Sequence, residues 1–188
     1  VPLPVREQQR REGWAAVQSA ALQLVSERGF DAVTVDDIAA AAGVSRRTFF
    51  NHFPTKAAAL FNPHPDDADQ LAQLLLAVDA AAGVWPALRA VCVDFVRGQD
   101  RVLRVRRQLV EDAELDAYHR TAHLHVGQAM DRWLAAQLPD DPFTARLVAE
   151  SAGAVLMTAF LAWHPDDDPA RFVELVGRGF DLVAHGFS

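Results

Sequence analysis

Residues 34–56 read Thr-Val-Asp-Asp-Ile-Ala-Ala-Ala-Ala-Gly-Val-Ser-Arg-Arg-Thr-Phe-Phe-Asn-His-Phe-Pro-Thr-Lys, a pattern that predicts two short helices joined by a glycine turn. Thr34 with Asp37 three positions on has the form of a capping box, which satisfies otherwise orphaned amides and starts a helix near Val35. Ile38 and Ala39 give that helix an inner face, until Gly43 supplies the left-handed backbone that ends helices at little cost. Ser45 is a second N-cap. Beyond it Phe49 and Phe53 fall four apart on one face, with Val44 beside them as the core contact of the turn. Pro54 cannot continue the helix and biases Phe53 toward extended backbone. Such a helix, about two turns long, does not persist alone in water, so its neighbours must hold it.

The oddity is at its start. Arg46 and Arg47 set two cations against the positive end of the helix dipole, at roughly 0.3–1 kcal/mol each, where stability alone favours acids. Phosphates and guanine edges reward that placement, because arginine forks pair with both and recognition helices present their N-terminal residues to the major groove. Two solvated surface arginines are the plain alternative.

These residues, with Glu27-Arg-Gly-Phe30 before them, resemble the N-terminal DNA-binding domain of TetR-family transcriptional repressors. The likeness covers roughly residues 10–60: the Thr-Val-x-x-Ile-Ala pattern, Ala-Gly-Val-Ser, the Thr-x-x-x-His-Phe spacing and the lysine that opens the next helix. The remaining two thirds resembles the family only in length and helical character. The resemblance implies phosphate contacts for Thr34 and Lys56, base-edge or phosphate contacts for Arg46, Arg47 and Thr48, and a backbone contact for His52, with Ser45 grouped with them at the helix start. Phe50 departs from the tyrosine common there, and offers only apolar contact, for example with a thymine methyl. Arg47 replaces a small residue or proline, so the operator sequence cannot be taken from relatives.

A chain of 188 residues, 51% apolar and 23% charged, is ordinary for a globular protein and allows one large or two small domains. The expected division is a helix-turn-helix DNA-binding domain over 1–56 and an effector-binding and dimerisation domain over 57–188. No apolar run reads as a membrane span and no signal peptide is recognisable, so a cytoplasmic protein without membrane contact is expected. The lone Cys92 reads as core filling. The net charge of −7 is unevenly spread. Residues 1–56 carry seven cations (Arg6, Arg10, Arg11, Arg28, Arg46, Arg47, Lys56) and six acids (Glu7, Glu12, Glu27, Asp31, Asp36, Asp37), a net of +1; the remainder carries 11 against 19, a net of −8. An acidic body behind a near-neutral head limits indiscriminate DNA binding.

Along the chain, residues 1–9 are expected to form a frayed arm. Trp14, Val17, Ala21, Leu24 and Val25 repeat at helical spacing from about Arg10 to Arg28. Thr55 caps a short helix from Lys56 that Asn62-Pro-His-Pro65 breaks, with His64 read as solvated. Further helices are predicted over about 66–81, 85–98, 102–111 and 115–137. After the Pro139-Asp-Asp-Pro142 signal a long apolar helix, 143–163, and a last helix to about His185 are predicted. No strand alternation appears, so the fold expected is all-α. The two terminal helices carry more apolar surface than a small domain covers, which predicts a homodimer through them, in agreement with the resemblance.

The resemblance further implies a pocket for a small-molecule effector in the C-terminal domain, for which Trp85, Phe95, Leu109, Tyr118, Trp133, Met157, Phe160 and Trp163 are candidate lining residues; all are equally consistent with core. Arg101, Arg104, Arg106 and Arg107 read either as an anchor for an anionic effector, such as the phosphates of an acyl-coenzyme A, or as a solvated face paired with Glu111 and Asp112. His119 and His123 stand four apart but lack the partners of a metal site. No catalytic motif, metal or cofactor is expected. The function expected is a ligand-responsive homodimeric repressor of a palindromic operator. The alternative is a helical protein-interaction module with secondary DNA contacts.

Overall fold

The computed structural model describes residues 4–186 other than 64, 98, 111 and 123, and their side chains other than those of 65–68, 100, 101, 113, 114 and 122. His64, Glu111 and His123, and the side chains of Arg101 and Glu114, therefore lie outside the described residues, and with them any pairing of His119 with His123. Every regular element among the described residues is an α-helix, as expected: α1 (Val5–Arg28), α2 (Val35–Ala41), α3 (Arg46–His52), α4 (Lys56–Phe61), α5 (Pro65–Ala77), α6 (Val84–Val96), α7 (Asp100–Leu109), α8 (Ala113–Ala122), α9 (Leu124–Gln137), α10 (Pro142–Ala162) and α11 (Pro169–His185). They gather into two compact units, one of Val1–Pro65 with Gln108–Ala122, the other of Asp66–Arg107 with His123–Ser188.

In the first unit, α1 begins earlier than its apolar stripe. Val5–Gln9, expected as a frayed arm, are helical because polar pairs carry the helix past the last buried residue: Glu7 takes Arg10 at 2.7 Å and Arg11 at 3.3 Å, and Gln8 reaches Glu12 at 3.0 Å. The Arg10 and Arg11 hydrogen bonds hold the Glu7 carboxyl down at about 2. The predicted stripe of Trp14, Val17, Ala21, Leu24 and Val25 is buried throughout. Buried Gln18 donates its Nε2–H to the Asn62 carbonyl at 2.8 Å, fastening α1 to the end of α4. α8 and α9 fall where one helix was expected over 115–137, and residue 123 between them lies outside the described residues. The first, α8, packs on α4, where the Phe61 ring stacks 6.5 Å from Tyr118 and meets His119 edge-on at 6.2 Å.

In the second unit, α10 packs along α9 and α11, and α11 packs on α6. Asp141 accepts the Thr144 N–H at 3.0 Å and Asp168 the Ala170 N–H at 2.8 Å, each followed by a proline at the first helical position. The Trp85 indole N–H donates to the Phe180 carbonyl at 3.0 Å, and Arg89 grips Asp181 through two hydrogen bonds of 2.8 and 3.0 Å. Cys92 is buried, as expected, and burial pushes its thiol up to about 12.

Two expectations need correction here. First, α10 is long and apolar enough, by length and composition, to cross a membrane, with a mean hydropathy of 1.4 over its best window. Arg146 and Glu150 interrupt the run to the eye without lowering the average enough. Second, Arg104 and Arg107 neither form a solvated face nor stand free for an anion. Arg107 donates to the Leu161 and Trp163 carbonyls at 3.1 and 3.2 Å, and Arg104 to the Asp167 carbonyl at 3.2 Å, its guanidinium 5.5 Å from the centre of the Trp163 ring. Arg107 thus satisfies carbonyls that the end of α10 leaves without helical partners, at the negative end of its dipole, while Arg104 ties down the turn that leads into α11.

The contact of α10 with α11 is close enough to require glycine at 179. A Cβ there would lie 2.7 Å from Cγ1 of the buried Val155. Gly179→Ala is therefore expected to lower stability by about 1–3 kcal/mol through overpacking, despite alanine's better helix propensity, as read by urea denaturation.

Candidate nucleic-acid interface

The helices α2 and α3 are seven residues each, too short to stand without packing. Each is capped as the sequence predicts. Thr34 accepts the Asp37 N–H at 3.1 Å while Asp37 accepts the Thr34 N–H at 2.9 Å and its hydroxyl at 2.5 Å, bonds that hold the Asp37 carboxyl below its ordinary range. Ser45 accepts the Thr48 N–H at 3.0 Å, and the two hydroxyls share a hydrogen bond of 2.8 Å. Between the helices Gly43 adopts φ +67°, and the Val44 N–H reaches back to the Ala39 carbonyl at 2.9 Å. That backbone state is the one a side chain opposes.

The inner face of α3 is sealed. Phe49 and Phe53 are completely buried, 6.0 Å apart, and Phe53 lies 4.9 Å from Trp14 of α1. With Phe49 inward, helical geometry turns Arg47 and Asn51 to the opposite side and Phe50 to the flank, while Arg46 stands clear at the start of the helix; all four are exposed. Phe50 meets Phe49 edge-on at 5.4 Å, yet leaves 45% of its surface in solvent. A half-exposed phenylalanine between two arginines is an apolar contact surface flanked by cations.

The two arginines are held differently. Arg46 donates from Nη1 to both carboxylate oxygens of Asp36 at 2.7 Å each, with its guanidinium 5.4 Å from the Phe50 ring centre. Arg47 is exposed and makes no ion pair among the described residues. His52 is half-buried at the other end of α3, where a Cβ on Gly13 would come within 3.0 Å of its Nε2; burial, then the nearby Arg10, lowers its pKa from the ordinary value. At neutral pH His52 is thus an uncharged hydrogen-bonding group. Thr34 is exposed and Thr48 half-exposed, each with its hydroxyl already in a cap.

Lys56 sits otherwise than a free phosphate contact would. Its ammonium donates to the Phe30 and Val33 carbonyls at 2.5 and 2.7 Å and lies 3.9 Å from the centre of the Phe30 ring, and burial lowers its pKa. It clamps the loop between α1 and α2 against the start of α4. Two residues of this surface were not singled out from the sequence. Asp36 stands ten positions from Arg46, a separation with no helical meaning; Asn51 was legible, since it lies four residues from Arg47 on one face.

The candidate effector residues are dispersed. Leu109 and Tyr118 belong to the first unit, and the Tyr118 hydroxyl accepts a hydrogen bond of 3.3 Å from Thr55. In the second unit Phe95, Trp133, Phe160 and Trp163 are buried, and Trp85 and Met157 half-buried. Trp133 lines a groove of about 360 Å³ with Leu75 and Leu76, and Trp163 a separate hollow of about 430 Å³.

Residues 18–61 match the family model of bacterial regulatory proteins, tetR family. The chain is 28% identical over 176 residues to the putative mycofactocin biosynthesis transcriptional regulator MftR of Mycobacterium tuberculosis, covering 90% of this chain and 88% of that one. Its fold is similar to a TetR-family regulator from Syntrophomonas wolfei described as putative (TM-score 0.70, 18% identity, 97% and 98% of the two chains). It is also similar to FadR of Thermus thermophilus, a TetR-family repressor solved in complex with lauroyl-CoA (TM-score 0.60, 24% identity, 93% and 95%).

Lys56→Ala strands two carbonyls and is expected to lower stability by about 1–3 kcal/mol in urea denaturation. Asp36→Ala releases Arg46 and removes an acid from the exposed face. Affinity for a random-sequence duplex should rise by about two- to fivefold, the scale of an exposed ion pair, as measured by fluorescence anisotropy at low salt.

Proposed function

We propose that the chain, whose residues 18–61 match the tetR family of bacterial regulatory proteins, is a TetR-like homodimeric repressor whose α3 reads a palindromic operator and whose release is set by a small-molecule effector. The observation that carries this reading is the outward face of α3. Arg46, Arg47, Phe50 and Asn51 stand exposed on a helix fixed from behind by two fully buried phenylalanines. Arg47 is the residue proposed for base edges, because nothing in the described protein competes for its guanidinium. Arg46 exchanges Asp36 for a phosphate or a guanine, Phe50 contributes apolar contact, and Ser45, Thr48 and His52 supply neutral hydrogen-bonding groups alongside. Thr34 contacts a phosphate through the start of α2. Lys56 contributes chiefly by positioning, with one N–H left for a phosphate. Regulation rather than catalysis is the activity proposed.

A dimer is supported by α10. Only 33% of its most apolar window is buried, and Phe143, Leu147, Ala154, Thr158 and Leu161 lie exposed along one side of it. Phe143 is 76% exposed, an arrangement a second copy would relieve. Two-fold symmetry also sets two recognition helices one DNA turn apart, which a seven-residue helix needs to gain operator affinity. The reading head is proposed over 1–56 and the effector and dimer functions over 57–188. The lauroyl-CoA bound to FadR of Thermus thermophilus supports a ligand site in this fold. An effector acts by favouring one separation of the two heads by a few kcal/mol, whatever its absolute affinity.

The test is a mobility shift with the DNA upstream of the protein's own gene. The Arg46→Ala/Arg47→Ala double variant is expected to lose specific binding by about 100-fold or more, at about 1–3 kcal/mol per arginine, with unchanged helical circular dichroism. Sequence-specific shifting retained by that variant would overturn the assignment of α3.

A further inference from the structure

Asn51 stands exposed on the outward side of α3, one turn beyond Arg47 and on the same face. The other polar side chains of this helix are already engaged. Arg46 holds Asp36 at 2.7 Å, the Thr48 hydroxyl shares a hydrogen bond of 2.8 Å with Ser45, and His52 is half-buried against Gly13 of α1. Arg47 and Asn51, by contrast, make no hydrogen bond or ion pair among the described residues. Local structure gives Asn51 no use of its own. Asparagine supports helices at their caps rather than in their interiors, and here Ser45 caps the start of α3 and Phe53, in extended backbone, its end. A marginal helix of seven residues thus carries a poor helix former whose amide presents both a donor and an acceptor to solvent.

That pair of groups is selective. A primary amide matches adenine, whose major-groove edge offers N7 as acceptor and the N6 amine as donor, whereas a guanidinium, which only donates, matches N7 and O6 of guanine. A phosphate offers acceptors only, so it would use the amide nitrogen and leave Oδ1 facing an anionic backbone. Four residues advance a helix by about 6 Å along its axis, close to two base steps of about 3.4 Å. From this we infer that Asn51 is a second specificity-determining residue of α3: with Arg47 on a guanine, it reads an adenine about two base steps away in the same half-site. The inference rests on the reading of α3 as the operator-contacting helix, and adds to it which bases the half-site must hold.

The experiment uses the full chain, first to select duplexes from a random-sequence library and then in fluorescence anisotropy on the selected duplex. The wild type should enrich half-sites holding a guanine and an adenine at that spacing. Asn51→Ala, at an exposed position where alanine is the better helix former, should keep the guanine and lose the preference for adenine. On the selected duplex Asn51→Ala should bind about tenfold more weakly than the wild type, the scale of one bidentate base contact. Replacing the adenine by 7-deazaadenine removes the N7 acceptor but keeps the pair with thymine; it should weaken the wild type by about fivefold and Asn51→Ala by less than about twofold. The same sequence enriched by Asn51→Ala as by the wild type, or an equal effect of 7-deazaadenine on both proteins, overturns the assignment of Asn51 while leaving the operator reading standing. No enriched sequence from the wild type would overturn the operator reading and this inference with it.

Discussion

The ring of Phe53 against Trp14, 4.9 Å apart with Phe49 beside them, is the contact on which the reading head depends. A seven-residue helix has too few internal hydrogen bonds to repay its nucleation. What holds α3 is the removal of two phenylalanine side chains from water, worth about 1.5–3 kcal/mol each. That burial also fixes the rotation of the helix about its axis. With Phe49 and Phe53 turned against α1, the chain has no freedom over which side chains face out. The same packing that stabilises α3 turns Arg47, Phe50 and Asn51 outward, with Arg46 exposed beside them as the first residue of the helix.

Charge on this surface is restrained. Asp36 occupies Arg46, and burial beside α1 lowers the His52 pKa, so at the start of α3 it is Arg47 that makes no ion pair among the described residues. A head that is nearly neutral by sequence is therefore less cationic in space than its arginine count suggests. This favours contacts that depend on base identity over those that any phosphate can make.

In the second unit the long helix α10 sets the terms. Its small and apolar residues let α11 approach until a glycine is needed at 179, and its exposed side keeps Phe143 and Leu147 in solvent. At its C-terminal end Arg107 answers the carbonyls that the helix leaves open, and Arg104 holds the Asp167 carbonyl in the turn that follows. Arginine in an acidic body thus has a structural use, closing a helix end, beside a Trp163 ring whose N–H has no hydrogen-bond partner among the described residues.

Local chemistry was legible in the sequence. Thr34 with Asp37, Ser45 and Thr55 announced three helix starts; Gly43 and Pro54 announced turns and stops; Phe49 and Phe53 announced a buried face. Each of these signals acts within a few residues, so spacing alone specifies it. The onset of α1 was missed because polar pairs, not apolar periodicity, support Val5–Gln9. The packing of α8 on Phe61, more than fifty positions away, had no local signal. The partner of Arg46, the carbonyls held by Lys56, Arg104 and Arg107, and the hollow at Trp163 were decided only in three dimensions. Those pairings join groups from ten to more than sixty positions apart, and no periodicity records which distant atoms folding brings within hydrogen-bonding reach.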